Sequence, residues 1–298
     1  MLLLAGPISY GQALVLGLLQ GFSELFPISS LGHSVIVPHL LGWDIHQNDA
    51  YFITFLVATH LATALVLLAF FWRDWVRIVR GMWRSLAERQ VAPDNLDARL
   101  GWLLVVGTIP AGLLGLLFED SLRSVFASAQ SAAAFLIANG IMLYAAELLR
   151  QRAPVAEPGG SHDGARSDAR IARQTGWAQA LGIGAAQALA LIPGFSRSGA
   201  SMGGGLLAGL SNEDAARFSF LLATPVIGAA AALKLPELLG PEGNGVRGPA
   251  LLAALCAALT AYLSVRFLMR YFETNRLTPF AVYCIIAGIV FSAVLAVR

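Results

Sequence analysis

The chain has 298 residues, 57% of them hydrophobic and 13% charged, with a formal net charge of +2. Soluble domains carry about 25% charged residues, so a soluble globular protein is excluded, no nucleic-acid partner is expected, and the lipid bilayer is the expected surrounding. Ten-residue segments of alternating polarity are absent, which excludes an outer-membrane barrel and leaves an all-α integral membrane protein.

In chain order, the opening MLLLAGPISYGQ lacks the basic n-region of a signal peptide and reads as the start of the mature protein. Residues 8–41 are apolar but interrupted at QGFSELFPISSLGH (20–33), where Pro27 breaks the helical pattern. Apolar runs long enough to cross about 30 Å of hydrocarbon follow at 52–72, 103–118 and 132–149. A polar segment, 150–176, separates them from a second interrupted stretch, 177–210, which carries PGFSRSGAS (193–201). Three more spans come at 218–235, 249–269 and 279–297. Cys256 and Cys284 lie within spans and are expected to pack rather than pair.

The charges give the topology. Nineteen arginines stand against one lysine, clustered at 73–99, 150–173 and 266–276. The positive-inside rule places all three clusters in the cytoplasm. Two spans separate the first pair of clusters, as that requires. Between the second and third clusters the count is even only if 177–210 enters and leaves on the cytoplasmic side, as a broken, re-entrant hairpin around Pro193, Gly194 and Gly199. The segment 150–176 then reads as a flexible cytoplasmic linker.

A weak repeat flanks this linker. Gly17-Leu-Leu-Gln20 parallels Gly184-Ala-Ala-Gln187, Pro27 to Ser30 parallels Pro193 to Ser196, and Phe55 to Thr59 parallels Phe220 to Thr224. Each half (1–149 and 177–298) therefore holds one hairpin and three spans. Three is odd, so the halves are inverted, and the expected architecture is six full spans with two re-entrant hairpins meeting near the midplane. By that symmetry the first hairpin, 8–41, enters from outside.

The chemistry sits at the two hairpin tips. Gln20 and Glu24 are four apart and share a helix face. Ser29 and Ser30 fall where a second helix starts, with His33 a turn further on. Ser196, Ser198 and Ser201 surround Arg197 at the other tip. Helix starts attract anions, the arginine fork matches phosphate oxygens, and a carboxylate beside imidazole and hydroxyl can move protons and activate a nucleophile. Gln20 and Glu24 could hold a hard divalent cation, Mg²⁺ or Ca²⁺, which bridges to phosphates. The set suits a phosphate or diphosphate. A blander reading stands beside it, because membrane serines commonly bond back to their own helix. Gly203, Gly204, Gly205 and Gly209 read as packing residues. His39, His46 and His60 form a weaker tier, and His162 reads as solvated linker. Glu119–Asp120 and Glu213–Asp214 read as solvated turns and helix starts. Trp72, Trp75 and Trp83 resemble an interfacial belt, and Arg73, Arg77, Arg80 and Arg84 a topology and head-group stripe.

The pairing of 20–33 with 193–201 strongly resembles the undecaprenyl-diphosphate phosphatase, or bacitracin-resistance, family, whose hallmarks are (E/Q)xxxE leading into PxSSxxH, and PGxSRSxxT. The stretch FSFLLATP (218–225) is similar as well. The resemblance implies a bacterial plasma-membrane enzyme that hydrolyses undecaprenyl diphosphate to undecaprenyl phosphate and phosphate. Such an enzyme recycles the peptidoglycan carrier lipid and removes the target of bacitracin. It also implies a divalent cation, a site open to the periplasm, and a prenyl diphosphate lipid as substrate; a homodimer is left open. Carried over by motif position, Glu24, Ser30, His33 and Arg197 are catalytic. Gln20, Ser29, Gly194, Ser196, Ser198 and Ser201 bind substrate, and Glu24 with Gln20 takes the metal. Two departures are visible: Gln20 replaces a glutamate found in some members, leaving Glu24 as the one carboxylate at its tip, and Ser201 replaces threonine. Either Ser30 attacks phosphorus, helped by His33 or Glu24, or one of those two activates water directly. A lipid-phosphate flippase shares the inverted-repeat plan. The histidine-nucleophile membrane phosphatases need a histidine where Gly203 stands.

Overall fold

The computed structural model describes residues 8–45, 50–126, 128–152, 164–240 and 243–297. His46, His162 and the first seven residues lie outside these ranges, as do the side chains of Glu119 and Asp120. Regular structure among the described residues is helical: α1 (Tyr10–Leu25), α2 (Ser30–Leu40), α3 (Ala50–Phe70), α4 (Trp72–Ala87), α5 (Leu96–Phe126), α6 (Ala129–Arg152), α7 (Gly164–Gln174), α8 (Trp177–Gln187), α9 (Arg197–Leu207), α10 (Asn212–Leu239), α11 (Arg247–Tyr271) and α12 (Thr278–Val297). Among the described residues, six stretches are long and apolar enough to cross a membrane: Tyr51–Phe70, Leu96–Phe118, Ala129–Arg152, Asn212–Pro236, Arg247–Tyr271 and Thr278–Val297. Each contains most or all of one apolar run read from the sequence.

The patterning within these helices is that of a protein in lipid. On α11 the residues Leu251, Leu255, Leu259 and Leu263 repeat every four positions and are each more than half exposed. The opposite stripe, Ala250, Ala253, Ala257 and Ala261, is fully covered. Small residues face neighbouring helices, where they permit close approach, and leucines face outward, where water would penalise them and hydrocarbon does not. The chain is a multi-pass membrane protein.

Two short-helix pairs interrupt this bundle. The first is α1 with α2. The second is α8, a 3₁₀ turn at Ala188–Leu191, and α9. The second pair is a hairpin with tied feet: Gln179 Nε2 near the start of α8 donates to the Ala208 carbonyl just past α9 at 2.9 Å. Packing is crossed, with α1 lying along α11 and α8 along α5.

The polar segment after α6 differs from the expected flexible linker. Its C-terminal part is the ordered helix α7, which buries Ser167, Asp168, Ile171 and Ala172. The reason is electrostatic. Asp168 is 1% exposed and accepts from Arg217 Nε at 2.6 Å and from Arg77 Nη2 at 2.6 Å. Arg217 also meets Asp74 at 3.0 Å. A second cluster joins Arg170 of α7 to Asp214 at 2.6 Å, and Ser167 Oγ donates to the same carboxylate at 2.5 Å. Glu213 and Asp214 are thus buried, correcting the solvated reading, because α7 supplies cations that a scan of α10 alone does not reveal. Arg77 belongs to this network rather than to a free stripe. Further ties, Leu277 N–H to Glu147 at 3.0 Å and Asn212 Nδ2 to the Asn275 carbonyl at 3.1 Å, bring the α11–α12 turn to the same end of the bundle.

Truncating Asp168 removes two of these contacts and leaves Arg217 only Asp74. Breaking a buried pair from one side costs about 3–5 kcal/mol when the remaining charge is uncompensated. Asp168→Ala is therefore expected to lose about 2–3 kcal/mol, read as a lowered midpoint in detergent thermal unfolding. Adding Arg217→Met should restore part of the loss.

Candidate active site

Both short-helix pairs turn at a proline-containing tip and restart on a serine. After α1 ends at Leu25, Phe26–Pro27–Ile28 leads to Ser29, which holds φ +68°, a conformation costly for a residue with a Cβ. Ser29 Oγ accepts from Gly32 N–H at 3.1 Å and so caps α2. At the other tip Ser196 Oγ caps α9 through Gly199 N–H at 3.0 Å. Ser30 and Arg197 consequently occupy the same place, the first helical position of α2 and of α9.

The tips touch. Ser198 Oγ donates to the Phe26 carbonyl at 3.0 Å. Asn139 of α6, completely buried, donates to the Pro27 carbonyl at 3.1 Å and accepts from Ser196 N–H at 3.0 Å, so one side chain holds both turns. Gly194, at φ +105°, lies against the Ala132 carbonyl, and a Cβ there would also meet the Phe135 Cβ at 2.6 Å. Its place is structural backbone in a tight turn.

Glu24, 6% exposed, is the centre. Its Oε2 accepts from Ser30 Oγ at 2.6 Å and from Gln20 Nε2 at 3.0 Å. Its Oε1 faces Arg197 Nε at 3.3 Å and Nη2 at 3.4 Å. The acid of one tip and the base of the other are in direct contact, well within the span of one diphosphate. These Arg197 contacts are long for charge-assisted bonds, which run about 2.7–2.9 Å. Its one further recorded contact, to the Ser219 carbonyl, is 3.5 Å. The guanidinium is held loosely. Gln20 Oε1 is buried with no hydrogen-bond partner among the described residues.

The other predicted residues are placed as follows. His33 Nδ1 donates to the Ser29 carbonyl at 2.7 Å, and its Nε2 meets Tyr283 Oη at 2.8 Å, so both ring nitrogens are engaged away from Glu24. Ser196 and Ser198 hydroxyls are 3.0 Å apart within the tip contact. Ser201 bonds back to the Arg197 carbonyl at 2.8 Å and to Ser219 Oγ at 2.6 Å, the packing alternative for a membrane serine.

Three residues outside the predicted set join the site. His60 of α3 brings Nε2 to 3.5 Å from Glu24 Oε2. Asn139 and Tyr283 support the tips. For His60 and Asn139 the sequence signal was present, since a polar side chain within an apolar span is rarely idle. Tyr283 gave none. The arrangement places a hydroxyl on a carboxylate beside a cation, the elements of nucleophile, base and anion clamp.

The model of the bacitracin resistance protein BacA family matches residues 13–290. The undecaprenyl-diphosphatase of Mycolicibacterium paratuberculosis is 50% identical over 294 residues, covering 94% of this chain and 95% of that protein. The undecaprenyl-diphosphatase of Mycobacterium avium is likewise 50% identical over 294 residues, with the same coverage. Undecaprenyl-diphosphatase 2 of Frankia alni is 45% identical over 332 residues, covering 94% of this chain and 96% of that protein.

Asn139→Ala would leave the Ser196 N–H buried without a partner, at about 1–3 kcal/mol, and the Pro27 carbonyl with only the weak contact from Cys284 Sγ at 3.7 Å. The expected result is a lower detergent unfolding midpoint. Asn139→Asp keeps an acceptor for Ser196 but loses the donor to Pro27, and should fall between wild type and alanine.

Proposed function

The chain belongs to the bacitracin resistance BacA family, and on that premise we propose that it converts undecaprenyl diphosphate to undecaprenyl phosphate and inorganic phosphate at the Glu24–Ser30–Arg197 centre. The observation that carries the mechanism is the 2.6 Å hydrogen bond from Ser30 Oγ to Glu24, beside the loosely held Arg197. A nucleophile resting on its base is the required starting geometry.

In this reading Arg197 exchanges its long contacts with Glu24 for bidentate bonds to the diphosphate. Ser30 Oγ attacks the terminal phosphorus as its proton passes to Glu24. The bond from that phosphorus to the bridging oxygen breaks, and the departing lipid phosphate takes the electron pair and the proton from Glu24. Water then attacks the phosphoserine, giving its proton to Glu24. Glu24 returns a proton to Ser30 as phosphate leaves. His33 acts by position: bound to the Ser29 carbonyl, it supports the strained residue that aims Ser30. Ser29, Ser196 and Ser198 shape the two caps around the phosphate-binding space.

The donor set suits a hard divalent cation such as Mg²⁺ or Ca²⁺. Glu24 supplies a carboxylate, and Gln20 Oε1 is a buried oxygen without a partner among the described residues. Among the described residues no group of three His, Cys, Asp or Glu forms a self-sufficient metal site, so substrate oxygens would complete the shell. When bound, the cation would neutralise phosphate charge.

Several observations support re-entrant hairpins in an inverted repeat. The tied feet of α8 and α9 sit at the arginine-rich end, together with the start of α10 and the α11–α12 turn. Gly17 of α1 abuts the Ala253 carbonyl of α11, and Gly184 of α8 abuts the Gly107 carbonyl of α5, the same contact at matching positions of the two halves. The halves are then α1–α6 and α8–α12, with α7 between them on the cytoplasmic side and the site reached from the periplasmic side.

The test is phosphate release from a detergent-solubilised prenyl diphosphate with Mg²⁺. Ser30→Ala is expected to lose about a thousandfold or more in kcat, Glu24→Gln about 10²–10⁴-fold. Rapid quench with substrate labelled in its terminal phosphate should trap phosphoserine at Ser30. Retention of most turnover by Ser30→Ala would make water the nucleophile. Lipid binding without phosphate release in wild type would indicate a transporter instead.

A further inference from the structure

The imidazole of His60 lies on α3, outside both tips and outside the mechanism above. Its Nδ1 is 2.8 Å from the Leu56 carbonyl. A carbonyl can only accept, so Nδ1 carries the hydrogen, and in the neutral ring Nε2 is a bare lone pair. That lone pair faces Glu24 Oε2 at 3.5 Å. Two lone pairs do not face one another at this range unless something positive lies between them.

A proton on Nε2 would serve poorly. Charge-assisted N–H···O bonds draw in to about 2.7–2.9 Å, well inside the 3.5 Å separation. Two ligands each about 2.1 Å from one ion, at roughly 90–110°, stand about 3.0–3.4 Å apart, close to the separation seen. The Nδ1–H bond to a backbone carbonyl is also the usual second contact of a metal-binding histidine, since it fixes the tautomer. The unpartnered Gln20 Oε1 belongs to the same amide that reaches Oε2 through Nε2.

We infer that His60 Nε2 is a direct ligand of the divalent cation at Glu24, giving this chain a mixed site of imidazole, carboxylate and amide oxygen. The inference rests on the cation reading above. A nitrogen ligand shifts selectivity away from Ca²⁺ and toward Mn²⁺ and its neighbours in the series. It also supplies the protein ligand that a second carboxylate, absent at Gln20, would otherwise give.

The test uses Mn²⁺ alone, without lipid, on purified protein in detergent. Electron spin-echo envelope modulation of bound Mn²⁺ should show coupling to an imidazole nitrogen in wild type, and labelling histidine with ¹⁵N should change that pattern without any substitution. In His60→Gln, and in His60→Ala as a second variant, the coupling should vanish and Mn²⁺ affinity should fall about tenfold or more, with Ca²⁺ affinity changed less. Mn²⁺ bound to wild type through Glu24, lost in Glu24→Gln, but showing no histidine nitrogen would overturn the His60 inference and leave the cation reading intact. No Mn²⁺ binding to wild type, either alone or with a prenyl diphosphate added, would overturn both.

Discussion

Everything in the core of this protein is arranged around one buried carboxylate and the guanidinium that faces it. Glu24 and Arg197 lie on different short-helix pairs, 173 residues apart in the chain. Neither charge is tolerable alone at such depth, so the pair obliges the two tips to meet. Yet the pair itself is loose, at 3.3–3.4 Å. Its tightness is supplied by neutral groups: Asn139 spanning both turns, Ser198 on the Phe26 carbonyl, and the two serine caps. Neutral hydrogen bonds hold the geometry, and the Arg197–Glu24 contact is left long.

The same economy governs the helices that carry the tips. Without water to drive them together, membrane helices associate through close contact. Gly17 and Gly21 of α1 meet the backbone of α11, and Gly184 of α8 meets that of α5. These crossed contacts fix α1 to α11 and α8 to α5. At the arginine-rich end the strategy changes to ion pairs, where Asp168 and Asp214 are shared among Arg77, Arg170 and Arg217. Buried between α4, α7 and α10, the carboxylates there are networked with several cations.

What was legible in the sequence follows this division. The six spans were readable because bilayer thickness imposes a length and polarity filter on each segment independently. Glu24, Arg197 and Ser30 were readable because a polar group in an apolar run demands an explanation. Gly17 and Gly184 each stand where a neighbouring helix backbone comes close, a contact that admits little else. The failures share one cause, partners distant in sequence. Glu213–Asp214 looked solvated until α7 was placed against them. Residues 164–174 looked like linker because their order comes from Arg77 and Arg217 rather than from local apolar content. The sequence left His33 and Glu24 as alternative helpers of Ser30; Glu24 lies against it, while Tyr283, 250 residues away, and the Ser29 carbonyl engage the His33 nitrogens. His60 ranked low because nothing nearby in sequence shows that α3 passes beside Glu24.

The matched positions of Ser30 and Arg197 carry one further consequence. Each begins a helix whose third N–H is taken by its own cap, at Gly32 and Gly199. The first two N–H groups of each helix have no partner within it. Two helix starts, each with a partial positive charge of roughly half a unit, thus stand at the two touching tips. A monophosphate can engage one such start well, whereas a diphosphate carries two phosphoryl groups and can engage both. Ser30 stands at one of these starts and Arg197 at the other.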